Sequence, residues 1–194
     1  MKLKDIYYVY PSIFTKKWCD DIISFAKNKE IMPATVGTDL GPKVIKESRV
    51  TNVSFFDEKW IYKPIHRVLQ KANEDAKWNF QFEFTERVQY TVYSPGHFYN
   101  WHQDSWDEPY QEEGPNKGLI RKLSASIILN DETEYEGGEL VFKEYNLDNG
   151  IHILGKFPKG TAIVFPSFIY HKVQKVTSGK RISLVSWTCG DPFK

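Results

Sequence analysis

The chain has 194 residues, enough to bury one sizeable hydrophobic core, and its 26 Lys plus Arg against 25 Asp plus Glu leave a net charge of +1. That balance supplies no bulk field toward nucleic acid or an anionic membrane, so neither is expected as a partner. The two cysteines, Cys19 and Cys189, lie at opposite ends, form no disulfide framework and are expected as reduced thiols.

Met1–Tyr10 carries Lys2, Lys4 and Asp5 among apolar residues and lacks the uninterrupted apolar stretch of a secretory signal. Nothing further along is long and apolar enough to span a bilayer, so a cytoplasmic location is expected. Thr15 is placed to cap a helix over 16–29, with Trp18, Ile22, Phe25 and Ala26 at helical spacing and Lys27 and Lys29 near its end. Gly37, Gly41 and Pro42 mark 36–44 as a surface loop before a strand-like Ser48–Phe56. A second helical pattern runs through Ile61, Ile65, Val68, Leu69 and Ala72, where Pro64 demands a break or a start near Lys63.

From residue 80 onward the hydrophobic period changes to two. Val88, Tyr90 and Val92 alternate with Arg87, Gln89, Thr91 and Tyr93 before a turn at Pro95-Gly96. The alternation returns at Leu123, Ala125, Ile127 and Leu129, again around Leu140 and Phe142 after Gly137-Gly138, and over Thr161–Phe165 before Pro166. Aromatic residues make up 15% of the chain, which favours β-rich packing and aromatic-lined clefts over a helical bundle. Short strands following two packing helices are compatible with a jelly roll, and a single domain is expected: helical support over about 1–80, then a jelly-roll core over about 81–194.

Within that pattern, His102 and Asp104 are two apart, so on an extended chain both side chains emerge on one face and can grip one ion. Together with His171 they could hold one face of an iron ion and leave the opposite face open. The ordinary reading of a His-x-Asp triplet is a surface loop, and that of His171, at the end of an apolar strand, is a core histidine satisfied by a backbone carbonyl. His66, His97 and His152 have no partner at ligand spacing and read as non-ligands. Arg181 lies ten positions after His171 and shares a strand face with Ser183, Val185 and Trp187. On an edge strand such an Arg would snorkel to solvent, whereas in an interior it needs an anion, and its planar fork suits a carboxylate.

Several segments carry a resemblance in order: Tyr93-Ser-Pro-Gly96, Tyr99-Asn-Trp-His102-Gln-Asp104, Leu123-Ser-Ala-Ser-Ile-Ile-Leu-Asn130, Tyr135-Glu-Gly-Gly-Glu-Leu140, Pro158-Lys-Gly160, Phe165-Pro-Ser167, His171, Gly179-Lys-Arg181 and Trp187. The stretch from Arg87 to Trp187 resembles the iron(II)- and 2-oxoglutarate-dependent dioxygenases, in particular the prolyl 4-hydroxylase branch and its PKHD-type relatives. The resemblance is close over the C-terminal half and loose over the N-terminal helices. It implies a mainly β fold, a double-stranded β-helix (jelly roll) core with N-terminal α-helices. It also implies that His102, Asp104 and His171 ligate iron(II), and that Arg181 binds the distal carboxylate of 2-oxoglutarate. Tyr99 would join Arg181 on that carboxylate, with Ser183 as a further donor and Tyr93 and Trp187 lining the cavity. Arg181 stands where many prolyl hydroxylases have Lys, which favours the PKHD-type side.

The implied reaction consumes dioxygen and 2-oxoglutarate, hydroxylates a C–H bond and releases succinate and CO2, with ascorbate among the expected cofactors. A carboxylate at position 104 favours hydroxylation, because related halogenases carry a small residue there. The expected substrate is a proline-containing protein or peptide, acted on by a monomer or weak dimer. Ser105–Gly118 is a polar loop after the ligand pair, an expected lid whose Trp106 and Tyr110 would pack on substrate; its ordinary reading is a mobile surface loop. Two other readings stand beside this one: hydroxylation of a free amino acid or other small molecule, and a non-catalytic or zinc-binding jelly-roll module.

Overall fold

Thr15 opens helix α1 (Lys16–Ala26), its hydroxyl accepting the Trp18 backbone N–H. The computed structural model describes residues 5–35, 43–105, 108–144 and 150–193. The helix stops at Ala26, short of the predicted end, because the chain tightens into i→i+3 bonds from Asn28 to Phe25 and from Lys29 to Ala26. Most of the predicted loop at 36–44 lies outside the described residues.

Helix α2 (Lys59–Asp75) corrects the expectation at Pro64, which sits inside the helix and neither breaks nor starts it. Proline at that point leaves the Trp60 carbonyl without its usual donor four residues on. The indole N–H of Trp18, reaching across from α1, donates to that carbonyl at 3.3 Å. Ile61, Ile65, Val68, Leu69 and Ala72 form the buried stripe of α2.

Two antiparallel sheets form the body of the protein. In the major sheet the strands lie in the order Tyr8–Tyr10, Ala162–Pro166, Ile120–Ile128, Arg181–Gly190, Val88–Tyr93, Asn52–Phe56 and Met32–Pro33, with Phe84–Thr85 also paired to Arg181–Gly190. The minor sheet orders Gly150–Ile153, Leu140–Glu144, His171–Val173, Phe98–His102 and Arg49–Val50. This is a double-stranded β-helix, the jelly roll expected from the sequence. The first 80 residues contribute strands as well as helices: the segment expected as one strand, Ser48–Phe56, divides at Thr51, its first part joining the minor sheet and its second the major.

Alternation along each major-sheet strand separates two cores. Leu123, Ala125, Ile127, Val88, Tyr90 and Leu184 face α1 and α2. Tyr93, Ile128, Ile163 and Phe165 face the other way and pack on Leu140, Phe142 and Val173 of the minor sheet. The N-terminal segment is locked down where the Phe14 N–H donates to the Gly160 carbonyl at 3.0 Å. Gly160 has φ +86°, and a Cβ there would lie 2.0 Å from the Phe14 carbonyl oxygen, so only glycine fits. Cys19 and Cys189 are both buried free thiols. Among the described residues no helix is long and apolar enough to cross a membrane.

Candidate active site

His102 and His171 face each other across the minor sheet because their strands, Phe98–His102 and His171–Val173, pair with those two residues in register. Asp104, just past the strand end, is held by the turn after Ala162–Pro166. The Ser167 carbonyl accepts the backbone N–H groups of Asp104 (2.8 Å) and Ser105 (3.1 Å), and the Gln103 amide donates to the Phe168 carbonyl. Ser167 is fixed in turn by a 2.9 Å hydrogen bond between its hydroxyl and that of Ser124. The Phe165-Pro-Ser167 segment therefore acts as the clamp on Asp104.

Both imidazoles are oriented by their Nδ1 atoms, which donate to backbone carbonyls: His102 to Asn100 at 2.8 Å and His171 to Ile169 at 2.9 Å. A carbonyl can only accept, so Nδ1 carries the proton and each Nε2 presents a bare lone pair. The ordinary reading of His171 thus holds for one nitrogen and leaves the other free. The two Nε2 atoms each lie 3.6 Å from a different oxygen of Asp104. Asp104 Oδ2 is buried with no hydrogen-bond partner. The ligand atoms of His102, Asp104 and His171 all fall within 4.8 Å of one another.

Burial pushes the His171 imidazole down to about 4, the neutral form a metal needs. Burial also pushes the Asp104 carboxyl up, but the two histidines, in the acid range where they carry a second proton, and Arg121 outweigh it and keep the group well below the usual carboxylate range. An ionised carboxylate whose two oxygens each face a bare nitrogen, with no donor on Oδ2, fits a cation. Two imidazoles and one carboxylate on one side are the donor set of a non-haem iron(II) site with open positions. Among the described residues this is the one such cluster, and the other histidines are engaged elsewhere or apart: His66 with Thr85 at 2.7 Å, and His152 with Glu144 at 3.0 Å.

Arg181 opens the strand Arg181–Gly190, which is paired on both sides, to Val88–Tyr93 and to Ile120–Ile128. It is 2% exposed, so the edge-strand alternative does not hold. Its Nη1 donates to the Ser183 hydroxyl at 3.0 Å, leaving the Ser183 O–H free to donate onward. The guanidinium lies 5.5 Å from the Tyr93 ring centre. Gly138 makes the room: a Cβ there would come within 2.9 Å of Arg181 Cδ. Burial raises the Tyr93 phenol, while Arg49 and Arg181 pull it down and Asp104 pushes it up, so this one hydroxyl senses both the triad and the Arg.

Tyr99 stacks on His102, ring centres 3.4 Å apart, and Arg49 sits 4.5 Å from the same ring. Its contacts are thus with His102 and Arg49, and burial pushes its phenol up to about 12. Trp187 is buried, with the Arg121 guanidinium 3.9 Å from its ring centre and its own indole N–H unpartnered. Tyr110 is turned inward, its hydroxyl donating to Glu86 at 3.2 Å, and its backbone pairs with Gly118 and Leu119. Trp106 lies outside the described residues.

Three residues near the site escaped sequence reasoning: Arg49, Glu86 and Arg121. Arg121 grips Glu86 with two hydrogen bonds of 2.8 and 2.7 Å and reaches the Asp104 carbonyl at 3.5 Å. The available signal was a cation inside an apolar alternation, at Leu119-Ile-Arg121 and again at Arg49-Val50.

A jelly roll with His-x-Asp and a facing His on the minor sheet, plus a buried Arg on a central strand of the major sheet, defines the class of non-haem iron oxygenases. A family model described as the 2OG-Fe(II) oxygenase superfamily matches residues 88–189, and the chain belongs to that superfamily. It is similar to a PKHD-type hydroxylase of Picosynechococcus sp., 24% identical over 94% of this chain and 77% of the relative. A PKHD-type hydroxylase of Sphingopyxis alaskensis is 30% identical over 79% of this chain and 69% of its own length. The match to a PKHD-type hydroxylase of Psychrobacter sp. is 36% identical but spans 50% of this chain and 36% of that relative. Among solved structures, a Pseudomonas putida prolyl-4-hydroxylase aligns with TM-score 0.69 at 18% identity, covering 95% of this chain and 92% of that one. The viral collagen prolyl hydroxylase of Paramecium Bursaria Chlorella virus-1 aligns with TM-score 0.67 at 19% identity, covering 96% and 97%. These two likenesses are likenesses of fold.

Proposed function

We propose that the protein hydroxylates a C–H bond of a prolyl residue in a protein or peptide, using iron(II), 2-oxoglutarate and dioxygen and releasing succinate and CO2. The observation that carries the reading is the Asp104 carboxylate facing two bare Nε2 atoms, one 3.6 Å from each oxygen, with Oδ2 buried and unpartnered. In this reading His102, Asp104 and His171 hold the iron, and Arg181 receives the distal carboxylate of 2-oxoglutarate in a bidentate pair with Ser183 donating beside it. When bound, the metal and cosubstrate supply the oxidising chemistry, with ascorbate as an accessory reductant.

The protein's own contribution is orientation and dryness. Phe165 packs edge-on against His171, ring centres 4.6 Å apart, and keeps water from its imidazole. Tyr99 fixes the plane of His102, and Tyr93 links the iron side of the cavity to the carboxylate side. Trp187 and Tyr110 form the substrate side. That relatives bear the name hydroxylase supports the same reading.

Anaerobic addition of iron(II) and 2-oxoglutarate tests it: a weak visible metal-to-ligand band is expected, and its absence sinks the proposal. Incubation with a proline-rich peptide library should then give products heavier by one oxygen. A band without any such product would retain the oxygenase and reject the prolyl substrate.

A further inference from the structure

Arg49 is a buried cation for which the fold supplies no anion. The residue is 8% exposed and its Nε is buried without a partner; its other contacts are all with neutral groups, a 3.4 Å contact from Nη1 to the Thr35 carbonyl, a hydrogen bond to the Tyr93 hydroxyl and the Tyr99 ring 4.5 Å away. Among the described residues no carboxylate pairs with it, in contrast to Arg121, which is gripped by Glu86. An isolated buried charge is costly unless something neutralises it.

Its position says where the neutralising group would sit. The register of Arg49–Val50 on Phe98–His102 sets Arg49 opposite Tyr99, and that tyrosine stacks on His102. Arg49 and Arg181 come from different sheets and converge on Tyr93, whose hydroxyl hydrogen-bonds Arg49 and whose ring centre lies 5.5 Å from the Arg181 guanidinium. Arg49 therefore lies beside the triad, separated from His102 by the Tyr99 ring.

Charge balance narrows the ligand, given the iron and 2-oxoglutarate reading on which this step rests. Iron(II), Arg49 and Arg181 bring four positive charges against the single negative charge of Asp104. Ligating imidazoles are neutral, and the Glu86–Arg121 pair cancels itself. 2-Oxoglutarate removes two charges, which leaves one.

We propose that Arg49 binds a carboxylate carried by the substrate itself, so that the hydroxylated prolyl residue stands at a peptide C-terminus or beside an acidic side chain. A neutral internal proline is the poorer substrate. A peptide C-terminus and an acidic side chain supply the same chemistry, and the test separates these two sources from each other and from free proline.

Probes are added to the anaerobic iron(II)–2-oxoglutarate complex and the shift of its visible band is titrated. They are L-proline against L-prolinamide, acetyl-Gly-Pro acid against its amide, and acetyl-Gly-Pro-Glu-amide against acetyl-Gly-Pro-Gln-amide. At least one carboxylate probe should bind about tenfold or more tightly than its neutral partner. Succinate release stimulated by the same probe should follow the same order. Arg49→Gln should erase that preference while 2-oxoglutarate affinity moves by less than about threefold; Arg49→Lys, which keeps the charge, should retain part of it.

Equal binding of acid and amide, silence from every carboxylate probe, or an Arg49→Gln loss that falls on 2-oxoglutarate affinity instead would each overturn the proposal. A wild-type protein that forms no band removes the iron reading first. A variant that forms the band but has lost the preference isolates Arg49.

Discussion

Asp104 Oδ2 is an ionised atom that the polypeptide alone leaves unsatisfied, so metal and side chain should be energetically linked. Differential scanning fluorimetry should show the wild type stabilised by iron(II), or by manganese(II) as a redox-silent substitute, by about 2.7 kcal/mol at a hundredfold excess over Kd. Asp104→Asn removes the charge and keeps the shape. That variant should lose the metal-dependent shift and melt, when metal-free, within a few degrees of the metal-free wild type. At the other end of the cavity, Arg181→Gln replaces a charged fork with a neutral amide. Hydrogen bonds to charged groups are worth about 1.5–3 kcal/mol, so KM for 2-oxoglutarate should rise roughly 10- to 150-fold. Steady-state kinetics with kcat changed as much as KM would argue against a purely binding role.

At the scale of elements, the strands were legible and the joints between them were not. Period-two alternation located Val88–Tyr93, the middle of Ile120–Ile128 and Ala162–Pro166 because each has one face toward the helices and one toward the minor sheet. His102 and Asp104 were legible because two-residue spacing on an extended chain is local geometry. Arg49, Glu86 and Arg121 were hidden, since what gives them meaning is a partner 35 or more positions away, such as Glu86 for Arg121, or the want of one. Pro64 misled for the same reason: the donor that rescues the Trp60 carbonyl is Trp18, 42 positions earlier.

That rescue is measurable. Trp18→Phe should cost about 1 kcal/mol in chemical denaturation. Pro64→Ala restores a backbone donor, and in that background the Trp18→Phe loss should shrink. Equal losses in both backgrounds would show that the indole N–H does not serve the Trp60 carbonyl.

On the scale of the whole molecule, the Glu86–Arg121 pair ties three pieces together: the strand Ile120–Ile128, the strand Arg181–Gly190 through Cys189, and the 108–118 segment through Tyr110. Burial pushes the Glu86 carboxyl up, but the Arg121 hydrogen bonds outweigh it and hold the group below its ordinary 4.5. Below pH 4.5 the unfolded chain takes up this proton first, so stability rises with pH there and is lost as pH falls through the folded value. Thermal melts between pH 3 and 6 should show that slope, and Glu86→Gln should flatten it. The same substitution strands Arg121 and should cost about 3–5 kcal/mol, seen as a drop in Tm of roughly 10 °C.

The strand Tyr8–Tyr10 caps the major sheet by zipping onto Ala162–Pro166, the very segment that runs into Ser167. Peeling those three residues away would bare a ribbon of Ala, Ile, Val and Phe with open main-chain donors and acceptors, a template for sticking to other copies. A chain shortened by its first ten residues should therefore precipitate in light-scattering assays well before it unfolds. What still dissolves should release its metal faster, because the grip on Asp104 would hang from an unsupported margin.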